Sequence, residues 1–300
     1  MNVLGGRDGA GVGSTARLWH RRGVLRVAGA RLLDDRDRGG VRAALDADPV
    51  ASCMVAARVE AAGLDPWRLG GEIWASGSRL EGLCFSGANL VPLRGEKTAI
   101  RAFADRARRH GRSCSSLVGR AELVLPLWEE LAASWAPARE VRADQPLMVL
   151  AGAPSVVADP LVRPVRLEEL DRYLPAAIAM FTEEVGVDPR AGDGGAGYRA
   201  RVAELISAGR AFARFEDGEV VFKAEIGAMS ARVGQIQGVW VDPTRRGEGL
   251  GTIGTAAVVE RLGAMGRISS LYVNGFNTPA RRTYDRIGFT QVASFATVLF

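Results

Sequence analysis

The sequence predicts an α/β protein built from two similar units, each a mixed, mostly antiparallel sheet flanked by helices. Three observations carry this prediction. The chain has 300 residues, and at that length two domains of roughly 150 residues each are expected rather than one core. Each half reads as antiparallel strands followed by a strand–helix–strand–helix–strand run, a repeat that suggests an old duplication. Between them Ala151 to Pro160, with Gly152, Pro154 and Pro160, reads as a linker. The expected division is 1–44 as tail and lead-in, 45–150 as the first unit, 151–160 as linker and 161–300 as the second unit.

Residues 1–20 are rich in glycine and small residues and read as a loose tail. The run Gly9-Ala10-Gly11-Val12-Gly13 has no strand before it and no clear helix after it, so it lacks the context of a nucleotide loop. Val50 to Ala62 reads as a helix stopped by Gly63. Glu72 to Ala75, Leu80 to Phe85 and Asn89 to Leu93 read as strands. Thr98 to Arg109 has helical periodicity, with Ile100, Phe103, Ala104 and Ala107 on one face. Ser115 to Val118 is a short strand, Leu123 to Trp135 a helix and Leu147 to Leu150 a last strand.

The second unit begins with a strand at Val162 to Arg166. Leu170 to Val185 is a helix whose apolar face holds Leu174, Ile178 and Phe181. Asp188 to Gly197 is a Gly-rich loop and Tyr198 to Ala208 a helix. Ala211 to Phe215 and Val220 to Ile226 form a hairpin through Glu216-Asp217-Gly218. Gly234 to Val241 is a strand, Thr252 to Ala264 a helix, Ile268 to Val273 a strand, Pro279 to Ile287 a helix, and Phe289 to Phe300 strand-like.

Composition excludes several functions. The chain is 47% hydrophobic and 24% charged, as in soluble globular proteins. No run approaches the roughly 18 apolar residues of a membrane span. The first residues lack the apolar core of a signal peptide, so a cytoplasmic protein is expected. Cys53, Cys84 and Cys114 stand far apart without a CxxC pair, which argues against a metal site or a disulfide framework. His20 and His110 lack ligand neighbours. The net charge of +5 arises from arginines dispersed through the first half, such as Arg101, Arg106, Arg108 and Arg109. No aromatic-interleaved basic motif accompanies them, so a nucleic-acid partner is not expected.

The chemically informative stretch runs from Gln237 to Thr252. An apolar strand enters Asp242-Pro243, a basic Gly-rich loop follows, and a helix begins near Thr252. Gly247, Gly249 and Gly251 let the backbone curl so that successive N–H groups converge. The helix start adds unpaired donors and the positive end of its dipole, and Arg245 and Arg246 add charge. The ligand implied is a phosphate or pyrophosphate. No Gly-Lys-Ser/Thr closes the loop as in a Walker A motif, and the GxGxxG dinucleotide spacing is absent.

Arg246-Gly-Glu-Gly249-Leu-Gly251, preceded by Val239-Trp-Val241-Asp-Pro, resembles motif A of the GNAT superfamily of N-acetyltransferases. Leu271-Tyr-Val-Asn274, Asn277, Pro279-Ala-Arg-Arg-Thr-Tyr284 and Ile287-Gly-Phe289 are similar to that family's closing block. The resemblance covers about 160 to 300. The whole chain also resembles two-part proteins in which an uncharacterised GNAT-like segment precedes a GNAT domain. The first half has no motif A. After Val91-Pro92-Leu93 it offers Arg94-Gly95-Glu96-Lys97 without the later glycines, so a degenerate copy that shapes the acceptor site or mediates dimerisation is expected.

The resemblance implies tandem GNAT-like folds and transfer of acetyl from acetyl-CoA, without a metal, to an amine by direct attack in a ternary complex. The amine is borne by a small molecule or a protein. It implies that the pantetheine arm enters a gap between the strand of Val239, Trp240 and Val241 and the strand Ile268 to Val273. Arg246, Gly247, Gly249, Gly251 and Thr252 then bind the pyrophosphate, and Asn277 binds the arm. A bulge in the first strand would aim an N–H at the thioester oxygen. Tyr284 matches the family's proton donor to the leaving thiolate; otherwise it is a packing aromatic. Glu225, in the apolar run Val220-Val-Phe-Lys-Ala-Glu-Ile, is expected to be either a base with a raised pKa or a solvent-facing strand residue. Glu183 and Glu184 end the helix where the family builds its acceptor site. Two other functions fit the same loop: a non-catalytic acyl-CoA-binding regulatory module, and an acyltransferase using another acyl donor.

Overall fold

The computed structural model describes residues 29–300 except Gly192; the glycine run at 9–13 and His20 lie outside the described residues. The first half comprises β1 (Arg31–Leu32), a 3-10 turn (Asp35–Asp37), α1 (Arg38–Asp46), α2 (Cys53–Ala62), α3 (Pro66–Leu69), β2 (Gly71–Ser76), β3 (Gly82–Gly87), β4 (Asn89–Arg94), α4 (Lys97–His110), β5 (Ser116–Arg120), α5 (Ala121–Leu131) and β6 (Glu140–Leu150). The second comprises β7 (Arg163–Pro164), a 3-10 turn (Leu167–Glu169), α6 (Leu170–Val185), α7 (Ala196–Ser207), β8 (Ala211–Glu216), β9 (Glu219–Met229), β10 (Val233–Val241), a 3-10 turn (Pro243–Arg245), α8 (Leu250–Ala264), β11 (Ile268–Tyr272), α9 (Thr278–Ile287) and β12 (Thr290–Leu299).

All twelve strands join one sheet in the order β1-β2-β3-β4-β5-β12-β6-β11-β10-β9-β8-β7. Read inward from either edge, the pattern is the same. Three antiparallel pairings lead to one parallel pairing, β4 with β5 or β10 with β11. An antiparallel strand from the other half follows: β12 lies against β5, and β6 lies against β11. The two series meet where β6 pairs antiparallel with β12. A pseudo-twofold axis therefore passes between β6 and β12, and each half completes its sheet with the other's last strand. These are tandem GNAT-like folds in a mixed, mostly antiparallel sheet, with helices on both faces.

Smaller features repeat the symmetry. In the first half Arg31 forks onto Asp37, six residues on, at 3.0 and 3.1 Å. In the second, Arg163 forks onto Glu169, also six residues on, at 2.7 and 2.8 Å. Each pair ties the edge strand to the 3-10 turn that starts the helical layer. The two halves also touch directly. Glu60 accepts from the Ala231 amide at 2.9 Å, and Arg232 donates to the Asp46 carbonyl at 3.3 Å. The buried Cys53 packs with Ala228 and Val233, and all three cysteines are free and buried.

Four buried clusters fill the layers. One holds α4 and α5 against the first half of the sheet, and a second lies beneath α1 and α2 on its other face. The clusters under α8 with α9, and under α6 with α7, do the same for the second half. Strand β9 serves both of its clusters by alternation: Phe222, Ala224 and Ile226 face α8, whereas Lys223 and Glu225 lie on the face covered by α6.

Most elements expected from periodicity are present, with shifted ends. Strand β6 begins at Glu140, seven residues before the expected Leu147, because its first residues are polar and largely exposed and show no apolar pattern. Strand β7 has only two residues, as suits an edge strand containing Pro164. Helix α1 was not expected, since Gly39 and Gly40 in its first turn hide its periodicity.

Candidate functional site

The site begins where the sheet splits. Strand β10 pairs with β11 only over Val233–Ile268, Gly234–Ser269 and Gln235–Ser270. Beyond that, β10 continues beside β9 as far as Val241, and β11 continues beside β6 as far as Tyr272. A gap opens between them, and the β10 backbone facing it has no partner strand, which leaves peptide groups free to bond an extended ligand. Val239 and Val241 are half-buried here, and Trp240 is buried.

Within that stretch β10 carries a bulge between Gln237 and Trp240. Gly238 takes φ +58°, and a Cβ there would stand 2.9 Å from Met180 Cε and 3.2 Å from Lys223 Nζ. The positive φ therefore favours glycine, and a larger residue would also have to displace the tips of Met180 and Lys223.

The strand then enters the anion loop. Asp242 accepts from the Thr244 amide at 2.8 Å and its hydroxyl at 2.6 Å, fixing the 3-10 turn behind Pro243. Gly247 and Gly249 take φ +88° and +85°, and Gly249 is the N-cap of α8. The amides of Gly247, Glu248, Gly249, Leu250 and Gly251 find no backbone acceptor, whereas those of Thr252 and Ile253 already bond to the Gly249 carbonyl. Five consecutive open donors at a helix start, with a positive dipole end behind them, make an anion cradle. Arg245 is tied to Glu216 and Glu248. Arg246 is half-exposed, donates to the Val241 carbonyl at 3.2 Å, and pairs with Glu183 at 2.7 Å. Glu183 also accepts from Trp240 Nε1 at 3.3 Å, so the end of α6 is joined to the loop.

On the α6 side of the gap lies a buried charged group. Lys223 is fully buried and Glu225 is 4% exposed. Lys223 Nζ donates to Glu225 Oε1 at 2.6 Å, and Tyr173 Oη donates to the same oxygen at 3.1 Å. Gln237 Nε2 approaches Oε2 at 3.4 Å. Glu225 is therefore not a solvent-facing residue. The expected raised pKa is corrected as well. Burial pushes the carboxyl up and is the largest single influence, but the Lys223 charge and the three donors together hold it below its ordinary value. Lys223, Tyr173 and Gln237 were missed as site residues. The signal for Lys223 was present: two charges two residues apart in an apolar strand must share a face.

Glu184 touches water but is crowded by protein, and desolvation raises its carboxyl against the opposing pull of Arg142 and Lys223. Arg142, on β6, donates to the Glu184 carbonyl at 2.7 Å. The first half's last strand thus reaches the same recess.

Tyr284 lies in α9 with its ring buried against Phe289. Its hydroxyl is not among the polar atoms sealed off without a partner. Burial pushes that hydroxyl well above its ordinary pKa, and the Glu184 charge adds to this, so it holds its proton throughout the neutral range. Asn277 is the N-cap of α9, its Oδ1 accepting from the Ala280 amide at 3.2 Å. The helix therefore starts at Thr278, one residue before the expected Pro279. The capping role leaves the Asn277 side-chain NH2 as its remaining donor.

The first half holds a distorted echo of this gap. Strands β4 and β5 pair only at Asn89–Ser116 and Leu90–Leu117, and beyond them Pro92 offers no amide to extend the ladder. The strands stay close there, since a Cβ at Gly119 would stand 3.3 Å from the Pro92 carbonyl, and Arg120 next to it pairs with Asp48 at 2.5 Å. Only Gly95 and Glu96 connect β4 to α4, so no loop of amides forms. A cavity of about 330 Å³ does exist in this half, beneath Trp74 and Trp135 at the far end of α4, remote from the β10–β11 gap. Among the described residues no cluster of His, Cys, Asp or Glu could hold a metal ion, and no helix is long and apolar enough to cross a membrane.

Residues 222–298 match a family described as FR47-like protein, and residues 71–173 match a domain of unknown function (DUF4081). A mycothiol acetyltransferase of Gordonia bronchialis is 32% identical over 297 residues, covering 89% of each chain. One from Sanguibacter keddieii is 40% identical over 100 residues, covering 31% of this chain and 32% of its own. Among solved structures, a GNAT-family acetyltransferase from Colwellia psychrerythraea aligns over 90% of this chain and 99% of its own, with a TM-score of 0.54 and 10% identity. A GCN5-related N-acetyltransferase from Sphaerobacter thermophilus aligns over 90% and 95%, with a TM-score of 0.55 and 16% identity. At those identities the structures speak for the fold alone.

Proposed function

The chain belongs to the GNAT superfamily of N-acetyltransferases, and from that premise we propose that its second half binds acetyl-CoA in the β10–β11 groove and passes the acetyl group to a small-molecule amine. The observation that carries this reading is the coincidence of a split sheet with a run of open amides at its mouth. The pyrophosphate sits on Gly247, Gly249, Gly251 and Thr252, with Arg246 exchanging Glu183 for phosphate. The pantetheine arm pairs with Val239, Trp240 and Val241, and the Asn277 amide holds it from the α9 side.

Chemistry follows from what surrounds the thioester. A primary ammonium is drawn to the acidic recess of Glu184 and Glu225 and must lose a proton before it attacks. Glu225, ionised at neutral pH, receives that proton, directly or through water. The amine attacks the thioester carbon, and an N–H of the Gly238 bulge bonds the oxygen on which charge develops. The C–S bond breaks, Tyr284 gives its proton to the departing thiolate, and the second proton shed by the attacking nitrogen returns to Tyr284 through water as the amide forms. Because the relatives' name is mycothiol acetyltransferase, the acceptor is proposed to be an amine of the mycothiol system, and the activity to be cytoplasmic.

The test is free-thiol release from acetyl-CoA by the full chain with a panel of amino sugars, cysteinyl amines and polyamines, the products identified by mass. Release that depends on one amine and yields its N-acetyl derivative supports the reading. Saturable acetyl-CoA binding with no amine acetylated would identify a regulatory acyl-CoA-binding module instead. Turnover confined to longer acyl-CoAs would replace the donor.

A further inference from the structure

We propose that Lys223 is a positioning residue for acetyl transfer: its ammonium fixes Glu225 so that one carboxylate oxygen is held and the other is presented to the β10 bulge at Gly238. The inference rests on the reading of Glu225 as proton acceptor. Its geometry is independent of that reading.

The two oxygens of Glu225 have different surroundings. Oε1 is saturated by Lys223 Nζ at 2.6 Å and Tyr173 Oη at 3.1 Å. Oε2 has only the long approach of Gln237 at 3.4 Å and lies 3.5 Å from where a Cβ at Gly238 would be. The free oxygen therefore points to the second of the two places where the β9–β10 register shifts, the bulge between Gln237 and Trp240. Lys223 is held in turn. Its strand neighbours Phe222 and Ala224 are core residues on the opposite face, and its ammonium lies 5.4 Å from the centroid of the Tyr173 ring.

A structural role alone does not account for the pair. Lysine is almost never fully buried without a partner, and apolar residues of similar volume in place of a buried ion pair often leave stability unchanged or improve it. An apolar pair at 223 and 225 would also suit a strand whose other face is already Phe, Ala and Ile. The charges stand where the fold does not need them, against the bulge. The groups that bear on Glu225 are Lys223 on β9, Tyr173 and Glu184 on α6, Tyr198 on α7 and the uncharged Gln237 on β10. Lys223 is the only cation among them, so its removal changes the charge environment most.

The experiment compares Lys223→Gln and Lys223→Arg with the parent full chain. Glu225 is followed by 13C carboxylate NMR titration, its signal assigned by loss in Glu225→Gln. The expected result is that Lys223→Gln moves the Glu225 titration upward by about 1–3 pH units and Lys223→Arg restores it. The acid limb of kcat/KM for acetyl transfer should move with it, while the melting temperature separates this from unfolding. If Lys223→Gln does not fold, an unmoved titration in the arginine variant together with lost activity points to placement of Oε2, whereas full activity in that variant with a displaced titration overturns the inference. A Glu225 titration unchanged in a folded Lys223→Gln also overturns it. Failure of the underlying reading looks different: Glu225→Gln would retain the parental rate and pH profile.

Discussion

The two halves of this chain share a strand order, a parallel fourth–fifth strand pair whose ladder stops after two or three residues, and an arginine fork from the edge strand to the first 3-10 turn. They differ in one connection. In the second half β10 reaches α8 through Asp242 to Gly249, and the amides of that loop stay open; in the first, β4 reaches α4 through Gly95 and Glu96, and β5 stays close to β4. The strand order is a property of the fold, and the proposed binding site is a property of one loop laid over it. On that reading a site is lost while every strand remains.

The largest effect expected from this contrast is at Tyr284. Helix α5, which occupies the place of α9 in the first half, has no tyrosine. Tyr284→Phe keeps the buried ring and removes the hydroxyl, so kcat should fall by about 10²–10⁴-fold with acetyl-CoA affinity nearly unchanged. Steady-state kinetics with a calorimetric affinity checks this. An unchanged kcat, with chemistry shown to be rate-limiting, would remove Tyr284 from the mechanism and leave the two helices equivalent.

Next comes the loop itself. Arg246→Ala in the full chain should weaken acetyl-CoA binding by about 1.5–3 kcal/mol if the guanidinium makes a charge-assisted phosphate contact. Lys97→Ala, at the start of the corresponding helix, should change nothing. Equal losses at both positions in a calorimetric titration would break the distinction between the halves.

A smaller effect tests the Arg120–Asp48 pair. Asp48→Ala removes a partly exposed ion pair and should cost about 1 kcal/mol in urea unfolding, while acetyl-CoA still binds once per chain. A stoichiometry of two would mean that this pair, and not the missing loop, keeps the first half from binding.

The smallest sharpens the comparison of the forks. Glu169 is held down to about 2 from an ordinary 4.5, chiefly by the hydrogen bonds from Arg163, and Asp37 is lowered likewise by Arg31. A depressed carboxyl contributes stability above its unfolded value and loses it as pH falls through its folded value. The Glu169 contribution is therefore complete above about 4.5 and fades towards about 2. Glu169→Gln should flatten the acid decline of the urea midpoint more than Asp37→Asn, since Glu169 is buried and Asp37 is not. The reverse order would show that the better-packed fork is not the stronger one.

The fold was legible where periodicity was strong and illegible where neighbours in space decide. Helix α6 lies at the expected residues, but it buries Leu170, Tyr173, Ala176, Ala177 and Met180, whereas the expected face of Leu174, Ile178 and Phe181 is only half-buried, because small residues and a tyrosine took the core side. The two-unit repeat was visible in element order, but the exchange of β6 and β12 was not, since no local pattern says which strand lies beside which. At the proposed site, the turn at Gly247 and Gly249 was readable because their positive φ demands glycine. The Glu225 environment was misread: its burial was weighed without Lys223, whose side chain reaches the carboxylate only because the strand puts both on one face.

The exchanged strands also bear on how the chain comes to be folded and inherited. During synthesis β5 waits, with one edge open, for residues 290–299, which are made long after it, so the earlier half cannot finish as an autonomous unit. An open strand edge is a template for mispairing, and a chain that must hold one until the second half emerges has a window of exposure to aggregation. The same arrangement constrains descent. Once each copy has come to depend on a strand encoded in the other, deletion of either removes part of both, so a half without its binding loop persists as scaffold.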